Sequence, residues 1–210
     1  MTTVKALTLI TGANQGLGFA AAKQLVSTGK YRLLSGARSH EKAQGAVEAL
    51  GGTDDLTPAA AAFVQERFGS LDILINNAGI NRSSDPNATL RETCRAVFET
   101  NVLGPAIMVE HFLPLLRASQ YPDRRIINYS AKVWELPVYR GSKAAMNVIT
   151  AVDAVRLHEA GILAVVVAPG YCRTNFGGAR PIVRAAVEGS PDELFGKIVD
   201  DENIYEEFGW

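Results

Sequence analysis

Tyr139 and Lys143 are the two residues whose types and spacing most directly suggest chemistry. They lie four positions apart in a segment with helical periodicity, so both side chains are expected on one face of a helix. A free tyrosine has a pKa of about 10, and it exchanges its proton near neutral pH only where a positive charge stabilises the phenolate. Lys143 can supply that charge. The pair therefore indicates acid–base chemistry, the alternative being two residues at the solvated start of a helix.

A second stretch, TGANQGLG at residues 11–18, is typical of a turn that binds a dinucleotide. An apolar, β-rich run ends here and a segment with helical periodicity follows. Gly12, Gly16 and Gly18 let the backbone take positive φ or come close to a ligand, and the helix start attracts a pyrophosphate. The spacing G-x-x-x-G-x-G differs from the general dinucleotide fingerprint, and the glycines alone could form a structural turn.

Together with four further stretches, this turn resembles the motifs of the short-chain dehydrogenase/reductase family. These stretches occur in the family's order: NNAG from Asn76, Asn101 within ETNVLG, YRGSK from Tyr139, and PGYCRT from Pro169. The resemblance extends over nearly the whole chain. It is strongest toward the fungal, carbonyl-reductase-like branch, although several segments are shorter than in that branch.

The resemblance implies roles for individual residues. Tyr139 would protonate a carbonyl oxygen, Lys143 would tune that tyrosine and hold the nicotinamide ribose, and Asn101 would support the lysine through a water or have only a structural role. The NNAG stretch would serve both the sheet and the cofactor. The residues expected to bind the cofactor are Gly12, Asn14, Gln15, Gly16, Leu17, Gly18, Arg38, Asp55, Leu56, Asn77, Ala78, Gly79, Tyr139, Lys143, Pro169, Gly170, Cys172 and Thr174.

The end of the predicted second strand indicates which dinucleotide is used. An acidic side chain there would bind the ribose 2′-hydroxyl of NAD, but this position is Ala37. Arg38 follows, and a guanidinium suits a 2′-phosphate. NADP(H) is therefore the expected cofactor, unless Arg38 is simply a surface charge.

The region before Tyr139 departs from the family pattern. In the family, the essential serine is the second serine of an N-x-S-S run. Residues 128–131 read NYSA here, so Ala131 occupies the position of that serine. Ser130 lies one residue earlier, and strand alternation would send it to the opposite face unless the strand ends or bulges there. Ser130 is thus an uncertain substitute. The connection from 132 to 138 and the segment after Thr174 are also short.

Composition excludes several classes of protein. Lysine and arginine number 21 against 22 acidic residues, a net charge of −1, which argues against nucleic acid as a partner. Cys94 and Cys172 are far apart and are expected to be reduced thiols, and the three histidines have no metal-ligand spacing, so no metal is expected. The N-terminus resembles no leader and no apolar run approaches the roughly 20 residues of a membrane span. A cytoplasmic protein is therefore expected.

The pattern of strands and helices predicts one doubly wound, Rossmann-like α/β domain over residues 1–210, with a mainly parallel sheet and helices on both faces. Strands are expected at 6–10, 31–36, 51–56, 71–75, 125–130, 162–168 and 196–199, and helices at 17–26, 41–50, 58–68, 90–116, 139–159 and 180–187. The helix at 139–159 is apolar nearly all round, which predicts burial against the sheet or against another subunit.

These features favour an enzyme that reduces a ketone, aldehyde or quinone with NADPH. Two alternatives remain open at this point: a catalytically weakened protein that binds the dinucleotide as a sensor or scaffold, and a non-redox enzyme using the same pocket. Tyr139 and Lys143 favour the enzyme, whereas Ala131 and the shortened loops favour the alternatives.

Overall fold

The computed structural model describes residues 5–36, 60–130, 136–168, 179–200 and 205–207. Within these residues, one sheet contains seven strands in the order β2-β1-β3-β4-β5-β6-β7. All neighbouring strands are parallel except β6 and β7, which are antiparallel. The strands are β1 (Ala6–Thr11), β2 (Tyr31–Gly36), β3 (Ile73–Asn76), β4 (Arg124–Tyr129), β5 (Ile162–Val167), β6 (Lys197–Val199) and β7 (Tyr205–Glu207). The predicted mainly parallel sheet is confirmed.

The helices cover both faces of this sheet. They are α1 (Gly16–Ser27), α2 (Ala60–Phe68), α3 (Leu90–Phe98), α4 (Gly104–Ala118), α5 (Pro137–His158), α6 (Arg180–Val187) and α7 (Pro191–Leu194). Helices α1, α6 and α7 contribute to one apolar cluster, and α2, α4 and α5 contribute to the other. The doubly wound α/β fold is therefore confirmed. None of the helices in the described ranges is both long and apolar enough to cross a bilayer.

The strand sequences explain the two clusters. Every residue of β5 is buried, as expected for an interior parallel strand with helices on both faces. Side chains alternate along β4 and β5, so Ile126 and Ala164 belong to one cluster while Ile127 and Val165 belong to the other. The apolar strands thus form the common middle layer of two cores.

Arg125 is a charged residue inside this apolar structure, with only 1 % of its surface exposed. Its guanidinium donates hydrogen bonds of 2.7, 2.8 and 2.7 Å to the carbonyls of Ala185, Glu188 and Gly189 at the end of α6. It also contacts both carboxylate oxygens of Asp123 at 2.7 Å. Arg125 therefore links β4 to the C-terminal end of α6.

The structure differs from the predicted elements in three places, one of which is the four-residue helix α7, which the sequence does not predict. The helix predicted at 90–116 is divided by a π-helical turn at Glu99–Leu103, so Pro105 lies at the start of α4 and not in the middle of one helix. Apolar residues occur on both sides of this turn, so the sequence reads as one continuous helix and does not reveal the wider turn. The strand predicted at 196–199 is followed by β7, whose three residues are too few for a periodic signal. The helix predicted at 41–50 and the strand at 51–56 lie outside the described residues.

The order of strands defines where a ligand is expected. The chain passes from β1 to β2 on one side and then crosses to β3 on the other side of β1. Such a reversal opens a crevice at the carboxyl ends of the strands, the usual ligand site in sheets of this kind. Thr11 ends β1 and Asn76 ends β3, so the residues that follow them border this crevice.

Candidate active site

The glycine turn after β1 has the backbone conformation that its glycines predict. Gly12 and Gly16 have φ values of 65° and 59°, in the left-handed region that favours glycine. Helix α1 begins at Gly16, and the side chain of the preceding Gln15 does not cap it. The first N–H groups of α1, at the positive end of the helix dipole, are therefore available to an anion.

Gly18 allows α1 to pack tightly against the loop after β3. A β carbon on Gly18 would lie 2.3 Å from Nδ2 of Asn77 and 2.7 Å from the carbonyl oxygen of Gly12. Nδ2 of Asn77 donates to the carbonyls of Thr11 at 2.9 Å and Gly12 at 3.3 Å. The Asn77 amide thus fills the space that any larger residue at position 18 would need.

The side chain of Thr11 holds the two loops together. Its Oγ1 accepts hydrogen bonds from the backbone N–H groups of Asn77 and Ala78, both at 3.1 Å. Thr11 has no separate role in the prediction from the sequence, although it is the first residue of the TGANQGLG stretch. The only signal was its place immediately before Gly12, at the end of an apolar strand.

Lys143 is placed in the wall of the cleft by helix α5. Only 3 % of its surface is exposed, and its Nζ donates a 2.7 Å hydrogen bond to the carbonyl of Tyr129. The Nζ lies 5.5 Å from the ring centroid of Tyr139 and 5.1 Å from that of Tyr129. Burial lowers the pKa of Lys143 to about 8, because the charged form loses its hydration. The predicted pair of Tyr139 and Lys143 is therefore brought together.

Asn101 lies in the π-helical turn and is fully buried. Its Oδ1 accepts from the N–H of Ile80, and its Nδ2 donates to the Ile80 carbonyl, both at 2.8 Å. The same Nδ2 donates to Oγ of Ser142 at 3.0 Å, and Ser142 donates to the carbonyl of Tyr139 at 2.6 Å. Asn101 thereby connects the loop after β3 to the first turns of α5.

Gly79 allows this connection to approach the lysine. A β carbon on Gly79 would lie 3.2 Å from Oδ1 of Asn101 and 3.4 Å from Nζ of Lys143. A larger residue would therefore crowd both polar groups at the cleft wall.

A buried chain of hydrogen bonds positions α5 on the sheet. Asn76 donates to Asn128 at 2.8 Å, Asn128 donates to Thr150 at 2.9 Å, and Thr150 donates to the carbonyl of Met146 at 2.7 Å. The chain runs from β3 through β4 to α5. It fixes α5 at Thr150, about two helical turns beyond Lys143.

These elements enclose a cleft of about 500 Å³. The predicted residues that line it are Gly12, Asn14, Gln15, Gly16, Leu17, Asn77, Ala78, Gly79, Tyr139 and Lys143. It is also lined by residues to which the sequence assigned no role: Leu9, Thr11, Gly36, Ala60, Ile80, Thr100, Met108 and Tyr129. Gly18 and Asn101 lie behind this lining, each in contact with a residue that belongs to it.

Ser130 is not part of the cleft lining. It is the first residue after β4, only 2 % exposed, and its N–H donates to the carbonyl of Val167 at 2.7 Å. The other predicted site residues lie outside the described residues: Arg38, Asp55, Leu56, Pro169, Gly170, Cys172 and Thr174, together with Ala37 and Ala131.

The chemistry of the cleft fits a nicotinamide dinucleotide. The glycine turn and the start of α1 suit the pyrophosphate, because close backbone approach and N–H donors are both present. The buried ammonium of Lys143 suits a ribose hydroxyl, and it lies beside the phenol ring of Tyr139.

Comparison with known proteins agrees with this geometry. A family model described as short chain dehydrogenase matches residues 6–181. The short-chain dehydrogenase anuI of Penicillium roqueforti (strain FM164) is 62% identical over 247 aligned positions, which cover 98% of this chain and 98% of the relative. These positions outnumber the 210 residues of this chain, so parts of the relative have no counterpart here. The short-chain dehydrogenase/reductase eupG of Phoma sp is 32% identical, covering 84% of this chain and 80% of the relative.

Solved structures agree as well. An NADPH-bound carbonyl reductase from chicken fatty liver superposes with a TM-score of 0.79 at 25% identity, covering 98% of this chain and 99% of that one. A short-chain dehydrogenase from Streptomyces avermitilis gives 0.69 at 28% identity, covering 81% and 68%. The chain belongs to the short-chain dehydrogenase/reductase family of oxidoreductases.

Proposed function

We propose that this protein uses NADPH to reduce a ketone, aldehyde or quinone. The observation that carries the proposal is the placement of Tyr139 and Lys143 in the same cleft as the glycine turn of residues 11–18. The cleft thus combines an anion cradle with a proton donor and a buried cation. This combination is what reduction of a carbonyl group requires from a protein.

The chemistry assigns a separate task to each side chain. A reduced nicotinamide dinucleotide in the cleft would supply hydride to the carbonyl carbon of the substrate. Tyr139 gives its phenolic proton to the carbonyl oxygen as negative charge develops there. Lys143 stabilises the resulting phenolate, since its ammonium lies 5.5 Å from the centre of that ring. Asn101 keeps α5 beside the loop that carries Gly79 through its bonds to Ile80 and Ser142.

Tyr139→Phe tests this assignment. The variant keeps the ring but loses the proton donor, so turnover should disappear while NADPH binding stays nearly intact. Binding is measured by titrating the fluorescence of NADPH, and turnover by its absorbance with a panel of ketones, aldehydes and quinones. An unchanged rate in Tyr139→Phe would place any chemistry elsewhere in the molecule.

The choice of NADPH over NADH rests on Arg38, which follows Ala37 in the sequence. A guanidinium favours a 2′-phosphate, and no carboxylate occupies the position that would select NAD. Arg38→Ala should remove most of the preference, on the order of the 1.5–3 kcal/mol of a charged hydrogen bond. Equal affinities for NADPH and NADH in the unmodified protein would contradict the proposal.

Turnover should be slow, because Ala131 stands where the family has a serine that polarises the carbonyl. Loss of one such donor commonly costs about 10²–10³ in rate. Ala131→Ser should therefore raise turnover of an activated ketone, while Ser130→Ala should change it little. If Ser130→Ala instead abolishes turnover, Ser130 has taken over the serine's task.

A dinucleotide-binding sensor is the second candidate function. The position of Ser130 outside the cleft lining favours it, because the described part of the cleft then lacks a serine beside Tyr139. The NADPH titration together with the turnover assay separates the two candidates. NADPH binding without turnover of any carbonyl in the panel supports the sensor.

We further propose that a second copy of this chain pairs along α5. Val148, Val152 and Val155 lie on one side of this helix and are 47%, 59% and 70% exposed. A two-fold related copy would bury the same apolar stripe of both subunits. Light scattering should show a dimer, and Val152→Glu should shift it toward monomer. A monomer in the unmodified protein would contradict this proposal.

A further inference from the structure

Tyr129 reaches the cleft from the sheet and not from α5. It is the last residue of β4 and directly precedes Ser130 and Ala131, the two residues considered for the role of the family's serine. The structure places Tyr129 in the cleft lining, whereas Ser130 is outside it. Of the two described residues at this point in the chain, Tyr129 and not Ser130 therefore borders the cleft.

Tyr129 contacts Lys143 in two ways. Its backbone carbonyl accepts the 2.7 Å hydrogen bond from Nζ, a contact that any residue at this position could make. Its ring centroid lies 5.1 Å from the same Nζ. An ammonium within about 6 Å of an aromatic centroid is attracted to the ring, more strongly where water is excluded. The ring contact depends on the side chain.

The environment of Lys143 makes this contact important. Its own helix contributes the Tyr139 ring, β4 contributes Tyr129, and the π-helical turn contributes the neutral amide of Asn101 behind Gly79. No carboxylate of the described residues forms an ion pair with Nζ. A buried cation without a paired anion depends on dipoles and ring faces for its stabilisation.

We infer that the ring of Tyr129 is a positioning element for Lys143: together with the Tyr139 ring it contacts the ammonium and keeps it protonated at the cleft wall. The protonated lysine is the form that stabilises a phenolate. The effect on catalysis rests on the proposed reductase function. The contact between the Tyr129 ring and the Lys143 ammonium does not depend on that function.

The test follows Lys143 directly in the protein without cofactor. Lysine is labelled with ¹³C at Cε, and the Lys143 signal is identified by its absence in Lys143→Met. Its titration midpoint is compared in the unmodified protein, Tyr129→Leu and Tyr129→Phe. We expect Tyr129→Leu to lower the midpoint by about 0.5–1 pH unit, and Tyr129→Phe to leave it unchanged.

Tyr121→Leu is the matched control. Tyr121 is also partly buried and packs against the same apolar cluster as Tyr129, but it does not line the cleft. Its loss should not move the Lys143 midpoint. Equal midpoints in Tyr129→Leu and the unmodified protein would overturn the inference.

A second measurement needs no variant at position 129 and remains informative if Tyr129→Leu does not fold. Protons on Cε of a lysine held against two ring faces should resonate upfield of the other lysines. If the Cε protons of Lys143 have the same chemical shift as those of the other lysines, the inference is overturned. If the midpoint shifts as expected but the protein reduces no carbonyl, the positioning role stands and the reductase proposal fails.

Discussion

The side-chain nitrogen of Asn77 occupies the space into which a β carbon on Gly18 would project. The calculated separation of 2.3 Å is far below any van der Waals contact, and the carbonyl oxygen of Gly12 would lie at 2.7 Å. Since Asn77 is held by the carbonyls of Thr11 and Gly12, it cannot move without giving up both bonds. The absence of a β carbon at position 18 thus determines how closely α1 packs against the loop after β3.

Gly18→Ala should therefore widen this junction and weaken both stability and NADPH binding. Overpacking typically costs about 1–3 kcal/mol, and the free energy of unfolding in urea measures it. Gly141→Ala is the matched control, because its nearest neighbour would be Cζ of Phe98 at an ordinary 3.8 Å. That exposed helical position should be neutral or gain up to about 1 kcal/mol. Similar results for both variants would exclude the steric explanation.

Removal of Lys143 should stabilise the fold while damaging function. Burial lowers the pKa of Lys143 to about 8, whereas a lysine in the unfolded chain has a pKa of about 10.4. Below pH 8 both states carry the proton, and the folded state bears the full cost of burying the charge. Between about 8 and 10.4 the unfolded state binds a proton that the folded state does not, so stability rises with pH.

Lys143→Met removes this cost and should be more stable than the unmodified protein near neutral pH, by up to about 3 kcal/mol. The difference should shrink as the pH rises above about 8, and NADPH binding should be weaker throughout. Urea unfolding at neutral and alkaline pH measures the effect, with exposed Lys30→Met as the control. A less stable Lys143→Met at neutral pH would mean that the bond to the Tyr129 carbonyl outweighs desolvation.

Asn101→Leu should uncouple α5 from the loop after β3. Leucine has nearly the same size but leaves the N–H and carbonyl of Ile80 without their amide partner, and each buried unsatisfied group costs about 1–3 kcal/mol. The variant should lose stability in urea, and turnover should fall more than NADPH affinity. Ser142→Ala removes one acceptor of the same amide and the donor to the Tyr139 carbonyl, but it leaves both bonds to Ile80 and should have a smaller effect. Equal losses in the two variants would contradict this ranking.

Replacement of Arg125 should be the most destabilising change outside the cleft. Arg125→Met leaves three carbonyls at the end of α6 without their donor, and each acceptor left unsatisfied in a buried site costs about 1–3 kcal/mol. Arg91→Met, on the exposed surface of α3, should stay within about 0.5 kcal/mol. Thermal unfolding compares the two variants. A small effect at Arg125 would mean that α6 is held mainly by its apolar contacts.

The sequence predicted well those elements whose signal is local. Strand β5 is a continuous apolar run, and α6 was predicted with the bounds that the structure has, Arg180–Val187. The spacing of Tyr139 and Lys143 predicts that they share one face of a helix, and both lie in α5. In each case the information lies within about twenty neighbouring residues.

The residues that the sequence analysis missed act across long separations. Thr11 and Tyr129 acquire their roles from contacts with Ala78 and Lys143, which depend on how strands and helices are stacked. The π-helical turn was missed for a related reason. One extra residue in a single turn shifts the apolar pattern by only one position, as in the five-residue step from buried Val97 to buried Val102, and so small a shift does not show as a break.

The hydrogen bonds of Thr11 also have a consequence for folding during synthesis. Its hydroxyl accepts from Asn77 and Ala78, which are 66 and 67 residues further along the chain. A nascent chain that ends before β3 therefore has the glycine turn but lacks the groups that fix its shape. Contacts of such separation form only after a large loop has closed. A dinucleotide bound as proposed would therefore assist folding only after β3 has left the ribosome, when it would stabilise the pairing of β1 with β3 by mass action.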